Sequence, residues 1–226
     1  MRKLAFPFVA LGLVVAGFYG CDESTTTEPA AAATPSFKAV GTRSSLSSTF
    51  DSGNEGWILV GDAVHAWSGG WDRSLYPDYA STGGNPGGAV YATDMARGII
   101  YYWQAPPKYL GNQYGAYRGV LQYDVKSLGA GSPHTGTDVV LAGGGKTLLI
   151  RVDPNVGPNW TTVTVDLSED AGWRHENPNS GLIATADDFK SVLKDLVALH
   201  IRGEYTAGLD TGYLDNVRII PKGQVE

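Results

Sequence analysis

YYWQAPPKYLGN, at residues 101–112, is the stretch of this 226-residue chain that says most about its fold. The chain also holds 6 Trp, 12 Tyr, 6 Phe and 30 Gly. Aromatic side chains suit the pleated surface of a sheet and glycines suit tight connections, so the composition favours an all-β protein. Shorter motifs follow in this order along the chain: AYRG at 116–119, DVVL at 138–141, EDAGW at 169–173, DF at 188–189, IRGEY at 201–205 and GYLDNV at 212–217.

This ordered series resembles the laminin IV type A domain, also called the laminin B domain. The resemblance implies an antiparallel two-sheet jelly-roll sandwich, galactose-binding-like, with one amphipathic helix near the C-terminal end. In that family the domain is an extracellular, non-enzymatic module of matrix and surface proteins. Framework positions of the family fall on large aromatic residues that we expect in the core: Trp57, Trp103, Tyr109 and Trp173.

The residues themselves indicate the same fold class. Several short strands without a βαβ rhythm favour an antiparallel sandwich. In the segment 161–167, Val163, Val165 and Leu167 alternate with polar residues, as a half-buried strand requires. Further strands are expected at 89–93, 117–125, 137–141, 146–152, 199–204 and 213–220.

One helix is predicted in the C-terminal part. Thr185 can cap it, and Asp188 is the acidic partner expected three residues later in a capping box. The apolar residues that follow recur at helical spacing: Phe189, Val192, Leu193, Leu196 and Val197.

The N-terminus has the pattern of an export signal. Arg2 and Lys3 precede an apolar run at 4–17, which is shorter than a membrane-spanning helix needs. The only cysteine, Cys21, follows Gly20, and this pair resembles the bacterial lipobox. We therefore expect Cys21 to be lipidated and to hold the protein at the bacterial cell envelope, on the periplasmic or cell-surface face. Ordinary signal cleavage and an uncleaved anchor are the alternatives.

These signals divide the chain into a lipoprotein signal peptide at 1–20, a lipidated cysteine and tether at 21–48, a sandwich at 49–221 and a tail at 222–226. The tether is rich in Ser, Thr, Ala and Pro, and such a composition does not bury enough apolar surface to order itself.

Charge and motif content exclude several function classes. The net charge is −6 and no cluster of Lys and Arg occurs, which argues against nucleic acid as a partner. The four histidines lack the spacing of a catalytic zinc site, and no Gly-x-Ser-x-Gly motif is present. Adjacent acids such as Glu169 and Asp170 would point to opposite faces of a strand, so they cannot flank one glycosidic bond.

A group of aromatic residues is the candidate ligand site. These residues lie in a segment rich in Gly, Asp and Ser: Trp67, Trp71, Tyr76 and Tyr79. Exposed rings can stack on sugar faces while polar neighbours bond the hydroxyls. The alternative is that these rings cover the end of the core.

Asp51 and Asp215 are the candidate metal ligands. The first and last strands of a jelly roll commonly run side by side, which would bring these two acids together. Two adjacent carboxylates repel each other unless a cation lies between them, and calcium accepts such ligands. The alternative assigns Asp51 to an Asx-turn and Asp215 to an ordinary hairpin bond.

The sequence therefore predicts a membrane-anchored, non-catalytic module that recognises a glycan or an extracellular or envelope protein. The alternatives are a carbohydrate-active hydrolase and a purely structural spacer. A pair of carboxylates facing one cleft would favour the hydrolase. A sandwich without an exposed aromatic patch would favour the spacer.

Overall fold

Within residues 45–61, 76–93 and 100–224, which the computed structural model describes, the chain forms two antiparallel sheets of six strands each. This arrangement, with one α-helix, confirms the predicted jelly-roll sandwich. The predicted signal peptide, Cys21, Trp67 and Trp71 lie outside the described residues.

Sheet A has the strand order β3-β4-β12-β6-β9, with β1 also paired to β12, and sheet B has the order β10-β8-β7-β11-β5-β2. The strands are β1 (Leu46–Ser48), β2 (Ile58–Gly61), β3 (Asp78–Ala80), β4 (Ala89–Thr93), β5 (Tyr101–Gln104), β6 (Val120–Ser127), β7 (Val139–Gly143), β8 (Lys146–Ile150), β9 (Thr161–Asp166), β10 (Arg174–His175), β11 (Leu196–Arg202) and β12 (Thr211–Ile220). The helix α1 spans Ala186–Lys194, and short 3-10 turns lie at Pro107–Tyr109, Tyr114–Ala116 and Glu169–Ala171.

Strand β12 is the centre of sheet A. It pairs with β6 on one side, and on the other side with β4 and then with β1. The register with β6 shifts between Asp215 and Arg218, which marks a β-bulge. A bulge bends the strand and re-aims its side chains. Asp215 is the last residue in regular register with β6 before this bulge.

The core lies between the two sheets and contains the four predicted framework aromatics. Trp57, Trp103, Tyr109 and Trp173 are fully buried, as expected. Trp57 contacts Tyr109 edge-on, with ring centroids 5.4 Å apart. The Ser48 hydroxyl accepts a hydrogen bond from the Trp57 indole at 2.9 Å and from the Tyr109 hydroxyl at 3.1 Å, so the core also holds strand β1.

Strand β9 has the predicted alternation. Val163 and Val165 are buried, whereas Thr162, Thr164 and Asp166 are exposed. Because the side-chain period of a strand is two, one face of β9 packs on the core and the other faces solvent.

The N-terminus of α1 is also as predicted. The Thr185 hydroxyl accepts from the Asp188 N–H at 3.2 Å, and the Asp188 carboxylate accepts from the Thr185 N–H at 2.8 Å. This reciprocal pair satisfies two N–H groups that the first turn leaves without helical partners.

The predicted apolar stripe of the helix was wrong at its end. The helix stops at Lys194, and Leu196 and Val197 belong to β11. Leu196 is buried, but Val197 is 61% exposed. Leu196 exchanges backbone hydrogen bonds with Gly111 at 2.7 and 2.9 Å, and pairing of this kind replaces the helical bonds. Helical spacing continued past Lys194 in the sequence, but tertiary pairing decided the structure.

Sheet A includes residues before Thr49, where the sequence analysis places the start of the sandwich. Strand β1 pairs with Val217–Ile219 of β12, so Leu46 and its neighbours are part of sheet A. In the described part of the chain, no helix is both long enough and apolar enough to span a membrane.

Candidate functional site

The two described members of the predicted aromatic site have different surroundings. Tyr76 is 61% exposed. Tyr79 lies in β3, is partly buried, and donates its hydroxyl hydrogen bond to the Asp51 carbonyl at 2.9 Å. Tyr79 therefore holds the Asp51 turn in place, whereas Tyr76 is open to solvent.

Loop 83–88, between β3 and β4, lies against both predicted metal ligands. Gly87 has φ +92°, and a Cβ atom there would lie 2.4 Å from Asp51 Oδ1. A Cβ atom at Gly84 would lie 2.8 Å from Asp215 Oδ2. The loop backbone therefore lies close to both carboxylates. Glycine is required at both positions: at Gly87 because of Asp51, and at Gly84 mainly because a Cβ atom would lie 2.0 Å from the Gly88 carbonyl oxygen.

Asp215 is fully buried beneath this loop. Its Oδ2 accepts the N–H of Asn85 at 2.6 Å, and its Oδ1 accepts the N–H of Asn216 at 2.7 Å. Burial raises the pKa of Asp215 to about 6, the two N–H groups oppose the rise, and the charges of Asp124 and Asp51 add to it. The fold therefore concentrates negative charge here and offsets it with hydrogen-bond donors.

Asp124 is a third acid of this site, which the sequence analysis missed. It lies directly opposite Asp215 in the β6–β12 register. Its Oδ1 accepts from the Thr162 hydroxyl at 2.6 Å, and its Oδ2 accepts from the side-chain amides of Asn85 at 3.1 Å and Asn216 at 2.8 Å. Loop 83–88 is thus fastened to the outer face of sheet A through two carboxylates.

The acids form a hydrogen-bonded site rather than a ready metal cage. Within residues 45–61, 76–93 and 100–224, no three carboxylate, histidine or cysteine side chains form a group that could hold a metal ion. A carboxylate oxygen has two lone pairs, so one hydrogen bond does not exhaust it. Asp51 and Asp215 therefore retain acceptor capacity, to which the backbone would have to add further ligands.

A second group of side chains lies beside this loop on the outer face of sheet A. Tyr91, Tyr213 and Lys126 alternate with buried residues of β4, β12 and β6, so they point away from the core. Tyr213 lies opposite Tyr91 on one side and opposite Lys126 on the other. Trp160 directly precedes Thr161, which lies opposite Val125. We call Tyr91, Tyr213, Lys126 and Trp160 the aromatic row.

Members of the aromatic row contact one another across the strands. Tyr91 and Tyr213 stack with ring centroids 5.5 Å apart. The Lys126 ammonium lies 4.2 Å from the Tyr213 ring centroid and 4.5 Å from that of Trp160. The carbonyl of Gly83 accepts from the Trp160 indole at 3.3 Å and from the Lys126 ammonium at 3.5 Å. Neighbouring strands are about 4.8 Å apart, so the row spans roughly 14 Å.

All four side chains of the row are partly exposed. Tyr91 and Trp160 form its ends, and each has Tyr213 as its one ring neighbour among the described residues. Rings at the two ends with a cation between them can bind a flat, hydroxyl-rich ligand by stacking and hydrogen bonding.

Comparison with known proteins gives consistent results. A family model described as "Laminin B (Domain IV)" matches residues 102–220. Human laminin subunit gamma-2 is 31% identical over 122 residues, covering 53% of this chain and 10% of that protein. The basement membrane proteoglycan of Caenorhabditis elegans is 30% identical over 113 residues, covering 50% of this chain and 3% of that protein. The chain thus spans a small fraction of the relatives that it matches.

Among solved structures, the L4b domain of human laminin alpha-2 has a similar fold. It superposes with a TM-score of 0.58 at 15% identity, covering 79% of this chain and 98% of that domain. The similarity extends over nearly the whole L4b domain, so it concerns the complete sandwich.

Proposed function

The chain belongs to the laminin B (domain IV) family, and on that premise we propose that it is a non-catalytic, extracytoplasmic module that binds glycans through the aromatic row. One matched relative is named for the basement membrane, an extracellular structure, which supports the location. The observation that carries the glycan proposal is the row itself. Its rings are partly exposed on a sheet face instead of being packed into the core.

The chemistry of the row suits a sugar chain. The apolar face of a pyranose ring stacks on aromatic rings, as Tyr91 and Trp160 would allow at the two ends of the row. The Lys126 ammonium and the tyrosine hydroxyls supply hydrogen bonds for sugar hydroxyls. A row of roughly 14 Å across four strands favours an oligosaccharide over a single sugar.

Replacing Trp160 by alanine should weaken glycan binding about tenfold or more, a loss of about 1.4 kcal/mol in binding free energy. The reason is the loss of a stacking surface at one end of the row. A glycan array would identify bound oligosaccharides, and titration calorimetry would compare the wild-type chain with the variant. The melting temperature should change little, because Trp160 lies outside the core.

Two further variants locate the site. Tyr114→Ala removes another exposed ring, which lies in the 3-10 turn Tyr114–Ala116 and is not part of the row, and should leave binding unchanged. Trp71→Ala tests the aromatic site that the sequence predicted in residues 67–79. If Trp71→Ala abolishes binding and Trp160→Ala does not, the glycan site lies in that segment. If no glycan binds, the recognition proposal is wrong.

A hydrolase is the alternative from another class, and Asp124 with Asp215 is the carboxylate pair that would support it. The two acids lie opposite each other, and the raised pKa of Asp215 suits a general acid. However, loop 83–88 covers Asp215 completely, and hydrogen bonds engage all four oxygens of the pair. A substrate could not reach them, so this pair favours structural stabilisation over catalysis.

We also propose that calcium stabilises the domain through Asp51 and Asp215. Support comes from the approach of loop 83–88 to both acids and from the added charge of Asp124. A ligand that binds only the folded state adds about 2.7 kcal/mol of stability at a hundredfold excess over Kd. Chelation should therefore lower the melting temperature, and Asp215→Asn should make melting insensitive to calcium.

The raised pKa of Asp215 predicts how the stability of the domain changes with pH, with and without calcium. Without calcium, the pKa of Asp215 is higher in the folded chain than its ordinary value of 3.8, so the folded state holds the proton more tightly. Stability from this group should then fall as pH rises from 3.8 to about 6. Calcium binds the ionised carboxylate, so it should stabilise most above that range. Identical melting curves with and without chelator at pH 7 would contradict the calcium proposal.

We further propose that Cys21 carries acyl chains and tethers the module to a bacterial membrane. This residue follows the apolar run at 4–17 and is the only thiol of the chain. Mass spectrometry of membrane-extracted protein should find an acylated N-terminus at Cys21, and Cys21→Ser should abolish processing at that position. A soluble mature protein without acyl chains would contradict the proposal.

A further inference from the structure

Lys126 is the only cation of the aromatic row, and the row leaves it without a counter-ion. Rings of Tyr213 and Trp160 flank its ammonium, and burial lowers its pKa. Its hydrogen-bond acceptor is the Gly83 carbonyl at 3.5 Å. Among the ion pairs of the described residues, none includes Lys126.

None of the described acids lies within ion-pair distance of the Lys126 ammonium. Asp124 lies two residues away on the same face of β6, but Thr162, Asn85 and Asn216 donate to its oxygens. By contrast, Lys108 and Lys146 each contact a carboxylate at 2.5 Å. A partly desolvated ammonium costs free energy unless an anion or several acceptors surround it. The aromatic row therefore presents at its centre an ammonium group that no described carboxylate contacts.

We propose that Lys126 makes the aromatic row selective for oligosaccharides that carry a carboxylate, such as a uronic acid. This inference rests on the proposed glycan-binding function. A ligand carboxylate on Lys126 would form a charge-assisted hydrogen bond, which is about twice as strong as a neutral one. Its pyranose ring and the neighbouring sugars would lie against Tyr91 and Trp160.

The charge of the whole chain limits the ligand to isolated carboxylates. With a net charge of −6, the protein would repel a densely charged polyanion at long range. That repulsion is screened beyond about 8 Å at physiological ionic strength, so a single carboxylate can still reach Lys126. The expected ligand is thus a largely neutral glycan with occasional acidic sugars.

Paired oligosaccharides test the inference. An array would carry uronate-bearing oligosaccharides from xylan, pectin and alginate, each beside the same compound with its carboxyl groups reduced to alcohols. The wild-type chain should bind the acidic member of at least one pair about tenfold more tightly than the reduced member. Lys126→Met, which keeps the stem but removes the charge, should bring the two members to equal affinity. Lys126→Arg should retain the preference.

Other results would contradict either the proposed selectivity alone or the glycan-binding proposal as well. If both members of every bound pair bind equally, or if Lys126→Met keeps the acidic preference, the proposed selectivity is wrong while glycan binding stands. If no member of any pair and no neutral oligosaccharide binds, both proposals fail. Should Lys126→Met fail to fold by its melting curve, Lys126→Gln decides by the same comparison. High salt should reduce the preference of the wild-type chain for the acidic member, because it screens the ion pair.

Discussion

Replacing Trp103 by alanine is expected to destabilise the domain by about 3–5 kcal/mol, the usual cost of deleting a large buried aromatic ring. Trp103 is fully buried between the sheets. Its ring contacts Tyr101 edge-on with centroids 5.5 Å apart, and its strand pairs with β2 and β11. The substitution removes the largest type of side chain from the core, and a core relaxes only partly around such a cavity.

The midpoint of urea unfolding measures this loss, provided that the slope of the transition stays constant. Tyr76→Ala is the matched control, because it removes an exposed ring and should change stability by less than about 0.5 kcal/mol. A Trp103→Ala variant as stable as the wild type would contradict the assignment of Trp103 to the core.

Breaking the ion pair between Arg202 and Asp138 is also expected to be strongly destabilising. Asp138→Asn should lower the free energy of unfolding by about 3–5 kcal/mol. Both side chains are almost completely buried, with a distance of 3.3 Å between Arg202 Nη1 and Asp138 Oδ1. Asp138 Oδ2 also accepts the N–H groups of Val152 and Asp153 at 2.7 and 2.9 Å. The substitution leaves the Arg202 charge buried without its anion.

A double-mutant cycle separates this pair from general packing. Arg202→Met should also be strongly destabilising, since Arg202 donates to the backbone carbonyls of Glu204 and His134 besides Asp138. The double variant should cost less than the sum of the single variants by about 0.5–3 kcal/mol. Additive losses would mean that the two side chains stabilise the domain independently.

The family resemblance and local patterns in the sequence together predicted the fold class and several elements. The capping box of Thr185 and Asp188 depends on residues three apart, and strand β9 depends on a period of two. Both interactions are short-range in sequence, so they can be read without knowledge of the partner strands. The end of α1 could not be predicted in this way, because it depends on the pairing of Leu196 with Gly111, which joins distant parts of the chain.

The aromatic row could not be predicted for the same physical reason. Alternation places Tyr91 and Tyr213 on the outer faces of their strands, but their contact depends on β4 pairing with β12 in one register. Lys126 and Trp160 join them only because β6 and β9 come next in sheet A. A one-residue slip would turn each strand's side chains to the other face. Asp124 was missed likewise, since only the register places it opposite Asp215.

The indole N–H signals of the chain test the glycan site most directly. The protein has 6 Trp, and Trp160 donates its indole N–H to Gly83 beside the row, whereas Trp57, Trp103 and Trp173 are buried in the core. Titration of isotope-labelled protein with a bound oligosaccharide should shift the Trp160 indole signal and leave the signals of the three core tryptophans nearly in place. Shifts confined to Trp67 and Trp71, or no shift of Trp160 at saturation, would contradict binding at the aromatic row.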